Sequence, residues 1–294
     1  MEQIRFEDRV AIVTGAGGGL GRAHALAFAA RGAKVIVNDL GAGRDAVVAE
    51  IEAAGGEAIA SGASVTDPSA VTAMVAAAIE RFGHVDILIN NAGILRDKSF
   101  AKMEMDDFRV VVDVHLMGAV YCTKAVWAHM RERRYGRIVM TTSSSGLYGN
   151  FGQANYGAAK MGLVGLANTL AIEGAKDDIR VNCLAPTART QMTEGLIPEA
   201  ILANYTPESV SPGVLFLASE NAPTHAILLG GAGSFERAHV TMTVGDWFAE
   251  ETRTPEAIAE AWEAISSHTG ESVPMSGAEQ GAREVQKIGS PAKA

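Results

Sequence analysis

The chain has 294 residues, 48% of them hydrophobic and 20% charged, enough for one large α/β domain or a domain with an appendage. A formal net charge of -9 argues against nucleic acid as the main partner, because phosphates would be repelled overall. Cys122 and Cys183 lie in apolar runs and suggest buried thiols, with no disulfide framework and no metal site.

The chain runs from Met1 into a predicted strand at 10–13 without a basic, apolar leader, and no apolar stretch reaches membrane-spanning length. The terminal Pro291-Ala292-Lys293-Ala294 is not a Ser-Lys-Leu peroxisomal address, so a cytoplasmic protein with no membrane partner is expected. Further strands are predicted at 35–37, 58–60, 87–89, 138–141, 181–184 and 226–229. Helical periodicity fills 20–30 and 46–54, and Asp67-Pro68 reads as a cap and first turn for a helix at 69–82. The alternation predicts an α/β fold, doubly wound, with a parallel sheet and helices on both faces. Composition shifts after Gly230-Gly231-Ala232-Gly233, which divides the chain into a catalytic domain, 1–233, and a C-terminal extension, 234–294. In the extension, 235–244 reads as an edge strand and Thr254-Pro255-Glu256 as a capped helix start. Ile258, Trp262 and Ile265 then form an apolar stripe, and a polar tail of about fifteen residues is expected to be mobile.

Between the first strand and first helix stands Thr14-Gly15-Ala16-Gly17-Gly18-Gly19-Leu20-Gly21. In that setting Gly15 can turn the chain, Gly19 lets backbone approach a pyrophosphate and Gly21 lets helix pack on strand. The helix N-terminus favours the phosphate charge. Asp39 ends the second strand, where a carboxylate can accept from ribose hydroxyls and repel the extra phosphate of NADP, so NAD is the expected cofactor. Arg22 and Arg44 are nearby cations that would weaken this discrimination.

Tyr156 and Lys160 stand four apart, and Ser143 lies thirteen residues before the tyrosine, after a strand-like run. A Tyr-x-x-x-Lys pair alone is equally the outer face of an amphipathic helix. With the serine and the glycine turn it forms a proton-transfer set beside a nicotinamide. The ammonium would lower the phenol's pKa, and the serine would orient the reacting oxygen.

These residues, with Asn90-Asn91-Ala92-Gly93 after the fourth strand and Pro186-Thr187 after the sixth, resemble the short-chain dehydrogenase/reductase family over residues 6–233. The resemblance implies a seven-stranded Rossmann fold of strand order 3-2-1-4-5-6-7 and a catalytic set of Ser143, Tyr156 and Lys160. It also implies dinucleotide contacts from Gly15, Gly19, Leu20, Gly21, Asp39, Ser64, Val65, Asn91, Ala92, Gly93, Tyr156, Lys160, Pro186 and Thr187. His115 stands where the family usually has a relay asparagine, and either relays protons or only packs. Ser64 replaces a common aspartate, which puts one adenine contact in doubt. Asn91 to Asp97, Val114-His115-Leu116 and Tyr148 to Tyr156 are similar to one branch, the (3R)-hydroxyacyl-CoA dehydrogenases that also carry 17β-hydroxysteroid activity. That branch implies oxidation of a 3-hydroxyacyl-CoA. A steroid or other bulky alcohol is the alternative, and a non-catalytic dinucleotide sensor is the alternative of another class. The substrate pocket is expected from 94–100, 147–151 and 189–205, with Met192, Leu196, Ile197 and Leu202 apolar enough for an acyl chain or sterol; Arg96, Lys98 and Lys102 either meet CoA phosphates or form a solvated basic face. Small residues around Tyr156 permit close helix packing, and the family implies a homodimer or homotetramer.

Overall fold

The computed structural model describes residues 3–188 and 204–289. The chain divides into two units, Met1–Arg237 and Ala238–Ala294.

In the first unit, apolar β-branched runs make the strands β1 (Val10–Thr14), β2 (Lys34–Asn38), β3 (Ala58–Ser61), β4 (Ile87–Asn90), β5 (Gly136–Thr141), β6 (Ile179–Thr187) and β7 (Ile227–Gly231). β1, β4 and β5 are buried along their whole length, as expected for a parallel sheet covered on both faces. All six pairings among β1 to β7 are parallel, with Val13 opposite both Val37 and Ile89. The sheet order is β3-β2-β1-β4-β5-β6-β7-β8, so the strand order reverses between β1 and β4. A crevice at that switch point is where open α/β sheets bind ligands.

The helices are α1 (Gly19–Ala29), α2 (Gly43–Ala53), α3 (Pro68–Phe82), α4 (Met105–Val112), α5 (Gly118–Arg133), α6 (Ser144–Tyr148), α7 (Ala154–Gly174) and α8 (Ser211–Leu217). Phe28 of α1, Val47 and Ile51 of α2 and Val214 and Leu217 of α8 join Val13, Val35 and Ile89 in one continuous core. α3 packs on α5, and α5 and α7 pack on β4, β5 and β6. A π-helical turn, Asp113–Met117, joins α4 to α5.

Three expectations are corrected. The sheet has eight strands where the resemblance implies seven: the expected edge strand at 235–244 forms, shorter, as β8 (Ser234–Ala238), beside β7 across Ala232 and Gly233, whose φ values are 50° and 79°. Two consecutive positive φ angles are the geometry of a two-residue hairpin turn, so the glycine-rich run read as a domain boundary is the turn into that strand. The continuous helix Met105–Arg133 is long and apolar enough to cross a membrane by length and composition. Its Val111, Ala119, Cys122, Val126 and Met130 are nevertheless buried in the first unit, so its apolar content serves the core. The polar tail, finally, contains a helix at Gly277–Gln286.

In the second unit, Thr254 caps a helix at Pro255–Glu260, accepting from the Ala257 N–H at 3.2 Å. Ala261 then interrupts it before Trp262–Ile265. Ile258 and Trp262 are exposed.

Asp67 caps α3 as its spacing predicts, accepting from Ser69 N–H at 2.9 Å and Ala70 N–H at 3.2 Å. Asp67→Ala should destabilise the first unit by about 1 kcal/mol, seen as a lower urea midpoint at an unchanged m-value.

Candidate active site

At the switch point the ends of β1 and β4 are tied together by side chains that satisfy backbone. Thr14 Oγ1 accepts from the N–H groups of Asn91 (2.9 Å) and Ala92 (3.0 Å) and donates to the Ile89 carbonyl (3.2 Å). The Asn91 amide donates to the carbonyls of Thr14 (2.9 Å) and Gly15 (3.2 Å). Gly15 and Gly19 have φ values of 64° and 52°, and the glycine turn delivers the chain into α1 at Gly19, with Leu20 in its first turn. At Gly21 a Cβ would stand 2.1 Å from the Gly15 carbonyl oxygen, so only glycine lets the helix lie so close.

The Asp39 carboxylate spans this turn. One oxygen accepts from Gly17 N–H at 3.0 Å and the other from Gly41 N–H at 2.7 Å. Arg44 donates to the carbonyls of Asp39, Leu40 and Gly41, and Arg22 is paired with Glu50. Both cations are thus engaged in holding structure. Ser64 bonds Thr66 at 2.8 Å, while Val65 is buried and packs toward Gly118. Pro186 and Thr187 end β6 opposite Gly230 and Gly231. The glycine turn at a helix N-terminus, with a carboxylate fixed across it, fits the pyrophosphate and ribose of a dinucleotide.

β5 ends in Thr141-Thr142-Ser143. Ser143 caps α6, accepting from the Ser145 N–H at 3.2 Å, and its hydroxyl is close enough to the Tyr156 phenol to act on its pKa. Tyr156 lies in the first turn of α7 and Lys160 one turn on. Lys160 is buried; its ammonium donates to the Thr141 carbonyl and sits 5.4 Å from the Tyr156 ring centroid. Thr142 Oγ1 donates to the Lys160 carbonyl at 2.7 Å, fixing the helix against the strand end. His115, in the π-helical turn, meets the Tyr156 ring edge-on at 5.1 Å between centroids. A Cβ on Gly93 would fall 2.2 Å from the imidazole, so glycine makes room for it. Its Nε2 lies 3.0 Å from the Ile94 nitrogen and 2.7 Å from the Ile94 oxygen, and its Nδ1 has no hydrogen-bond partner among the described residues.

The electrostatics correct two expectations. The phenol's pKa is raised: burial disfavours the phenolate, the Ser143 hydrogen bond opposes that, and the Asp97 carboxylate adds to it. The ammonium expected to acidify it is instead destabilised by its own burial, which brings Lys160 down to about 7. His115 is lowered to about 3 by burial and by the Lys160 charge, against a backbone hydrogen bond to Ile94. Burial thus favours the neutral imidazole.

The structure thus brings Ser143, Tyr156, Lys160 and His115 together, and joins Asn91, Ala92 and Gly93 to the glycine turn. Sequence reading missed Thr14, whose side chain makes the tie, because the motif was read from its glycines. Asp97 falls in the expected pocket segment 94–100, but its charge beside the phenol was not foreseen; Gln153 holds it at 2.6 Å. Arg96 and Lys98 face Asp107 at 3.8 and 2.9 Å, which offsets their charge. Met192, Leu196, Ile197 and Leu202 lie outside the described residues.

A switch-point crevice with a glycine turn, a carboxylate at the end of β2 and a Ser-Tyr-Lys cluster defines a dinucleotide-dependent oxidoreductase. The family model for short chain dehydrogenases matches residues 9–200, and the chain belongs to that family. It is 47% identical over 285 residues to the mouse peroxisomal multifunctional enzyme type 2, covering 92% of this chain and 38% of that protein. The solved structure of the full-length Drosophila melanogaster peroxisomal multifunctional enzyme type 2 matches with a TM-score of 0.84 and 39% identity, over 96% of this chain and 50% of that one. A 7α-hydroxysteroid dehydrogenase solved with NADH and 7-oxo glycochenodeoxycholic acid matches at a TM-score of 0.73 and 31% identity, over 78% of this chain and 95% of that one. The chain is an enzyme, an oxidoreductase that uses a nicotinamide dinucleotide, and the sensor alternative falls. The cytoplasmic expectation is overturned as well: the mouse and fly relatives are named peroxisomal.

A nicotinamide held here would supply the hydride acceptor, with Ser143 and Tyr156 the groups at hand to hold an alcohol oxygen and take its proton. Tyr156→Phe should remove turnover while NADH binding, read by fluorescence titration, stays within about twofold, since a proton-transfer group contributes about 10²- to 10⁴-fold. Because burial lowers Lys160 from 10.5 to about 7, the unfolded chain binds more protons across that window and stability rises with pH through it. Lys160→Met should flatten that rise, so urea titrations should show wild type gaining on the variant from about pH 7 to 10.

Proposed function

We propose that the protein oxidises (3R)-3-hydroxyacyl-CoA to 3-oxoacyl-CoA with NAD as acceptor. The Asp39 carboxylate, held by the N–H of Gly17 in the glycine turn and by that of Gly41 in its own loop, carries the choice of NAD. It offers two oxygens to a ribose diol and opposes a 2′-phosphate, while Arg44 is occupied with the carbonyls of its own loop. Similarity over 92% of the chain to a multifunctional enzyme of the hydroxyacyl-CoA branch supports the acyl-CoA substrate. Since the chain spans 38% of that relative's length, the reading concerns the dehydrogenase reaction alone. A hydroxysteroid is the second reading, favoured by likeness to a dehydrogenase solved with a bile-acid ketone.

In the forward reaction Ser143 and Tyr156 bind one alcohol oxygen, Tyr156 takes its proton once the phenol, which burial keeps protonated in the free site, has given up its own, and His115 holds the Ile94 loop beside them. Met161 and Ile172 are exposed on α7, and nothing lies within 4 Å of where a Gly165 Cβ would stand. That small, apolar face suits assembly into a homodimer or homotetramer.

Asp39→Asn should lower kcat/KM for NAD by about 10- to 100-fold, the loss of charged hydrogen bonds to the ribose, and narrow the gap to NADP. An unchanged cofactor ratio would remove the carboxylate from this role. In a panel of acyl-CoA thioesters and free steroids, the thioesters should show the higher kcat/KM; a preference for steroids would select the second reading.

A further inference from the structure

Asn155, next to the tyrosine, is fully buried, although it is a polar side chain at the helix end that faces the site. Its carboxamide is spent entirely on backbone. Oδ1 accepts from the Tyr156 N–H at 2.8 Å, and Nδ2 donates to the carbonyls of Arg96 at 3.1 Å and Asp107 at 3.4 Å. Those acceptors belong to different elements: Arg96 to the loop after β4, and Asp107 to α4, which runs into the π-helical turn carrying His115. The same loop contacts the His115 imidazole through Ile94, and the imidazole meets the Tyr156 ring. The contacts close into a ring: Tyr156, Asn155, the 94–96 loop, His115 and back to Tyr156. Two further bonds run beside it, from Lys98 N–H to the Gly152 carbonyl at 3.0 Å and from Gln153 to Asp97 at 2.6 Å.

We infer that Asn155 is a positioning residue for the hydride-transfer reaction: it fixes the Tyr156 phenol relative to Ser143 and His115 by pinning the start of α7 to both the post-β4 loop and α4. The inference rests on Tyr156 as the proton acceptor. No other side chain in the ring makes hydrogen bonds to two separate elements as well as to the tyrosine's own backbone. Aspartate at this position would turn two attractive contacts into an oxygen facing carbonyl oxygens. Serine would keep a short acceptor for the Tyr156 N–H and lose the reach to the other two. A displacement on the order of 1 Å at a reacting group costs about 10²-fold in rate.

The test measures Asn155→Ser and Asn155→Asp beside Tyr156→Phe, with the secondary alcohol that the wild type oxidises fastest, and with rates normalised to NADH-binding sites. Both Asn155 variants should lose about 10- to 100-fold in kcat while the dissociation constant for NADH stays within about twofold. The primary deuterium isotope effect on kcat/KM should rise toward its intrinsic value, because a misplaced phenol makes chemistry limiting. If the Asn155→Asp variant does not fold, the neutral Asn155→Ser variant alone decides. A serine variant with wild-type kcat per binding site, or with a reduced kcat but an unchanged isotope effect, overturns the positioning role. Turnover surviving in Tyr156→Phe would instead overturn the reading of the tyrosine, so the two failures are told apart.

Discussion

Lys160 is an ammonium buried under the site with the Thr141 carbonyl as its acceptor, and the arrangement around it follows from that cost. Burial brings its pKa to about 7, so the charge is held only weakly near neutral pH. Its neighbours do not quench it: Cys183 is pushed up to about 12 by burial and stays a neutral thiol, and His115 is neutral as well. A lysine so placed responds strongly to any nearby change of charge. The high pKa of the Tyr156 phenol in the same cluster belongs to the same balance, in which desolvation outweighs each favourable contact. The site holds groups whose charged states are costly until a partner arrives.

That cost is sustained by backbone held in place from several directions. The end of β5 binds α7 twice, through the Thr141 carbonyl to the lysine side chain and through the Thr142 hydroxyl to the lysine carbonyl. Thr14 and Asn91 do the same between β1 and β4, and Asp39 and Arg44 do it for the loop after β2. In each case a polar side chain at or just past a strand end bonds backbone of a neighbouring strand end, loop or helix. The C-terminal edge of the sheet becomes rigid there, and that is the edge on which the chemistry stands.

Close approach is the second requirement. Gly21 lets α1 meet the glycine turn, and Gly93 lets the His115 ring lie against the post-β4 loop. The π-helical turn places His115 where the long α4–α5 helix would otherwise pass with regular spacing, and such turns recur at functional sites. The second unit shows the opposite pattern, with Trp262 and Ile258 left exposed and the helical stripe divided at Ala261.

Much of this was legible in the sequence, because it depends on local chemistry. Strands β1 to β7 follow from apolar β-branched runs, the cap at Asp67 from its spacing to a proline, and the pairing of Tyr156 with Lys160 from one helical turn. The membership of Gly15, Gly19 and Gly21 in one turn follows from their setting between a strand and a helix. What the sequence could not decide depends on surroundings from distant segments. The phenol's pKa, the neutrality of His115 and the half-neutral Lys160 come from burial, which no spacing encodes. Thr14, Asp97 and Asn155 gained their roles from segments 48 to 78 residues away in the chain. The sequence determined which groups were available at each strand end; tertiary packing decided which of them lost water, because desolvation is a property of everything that closes over a group.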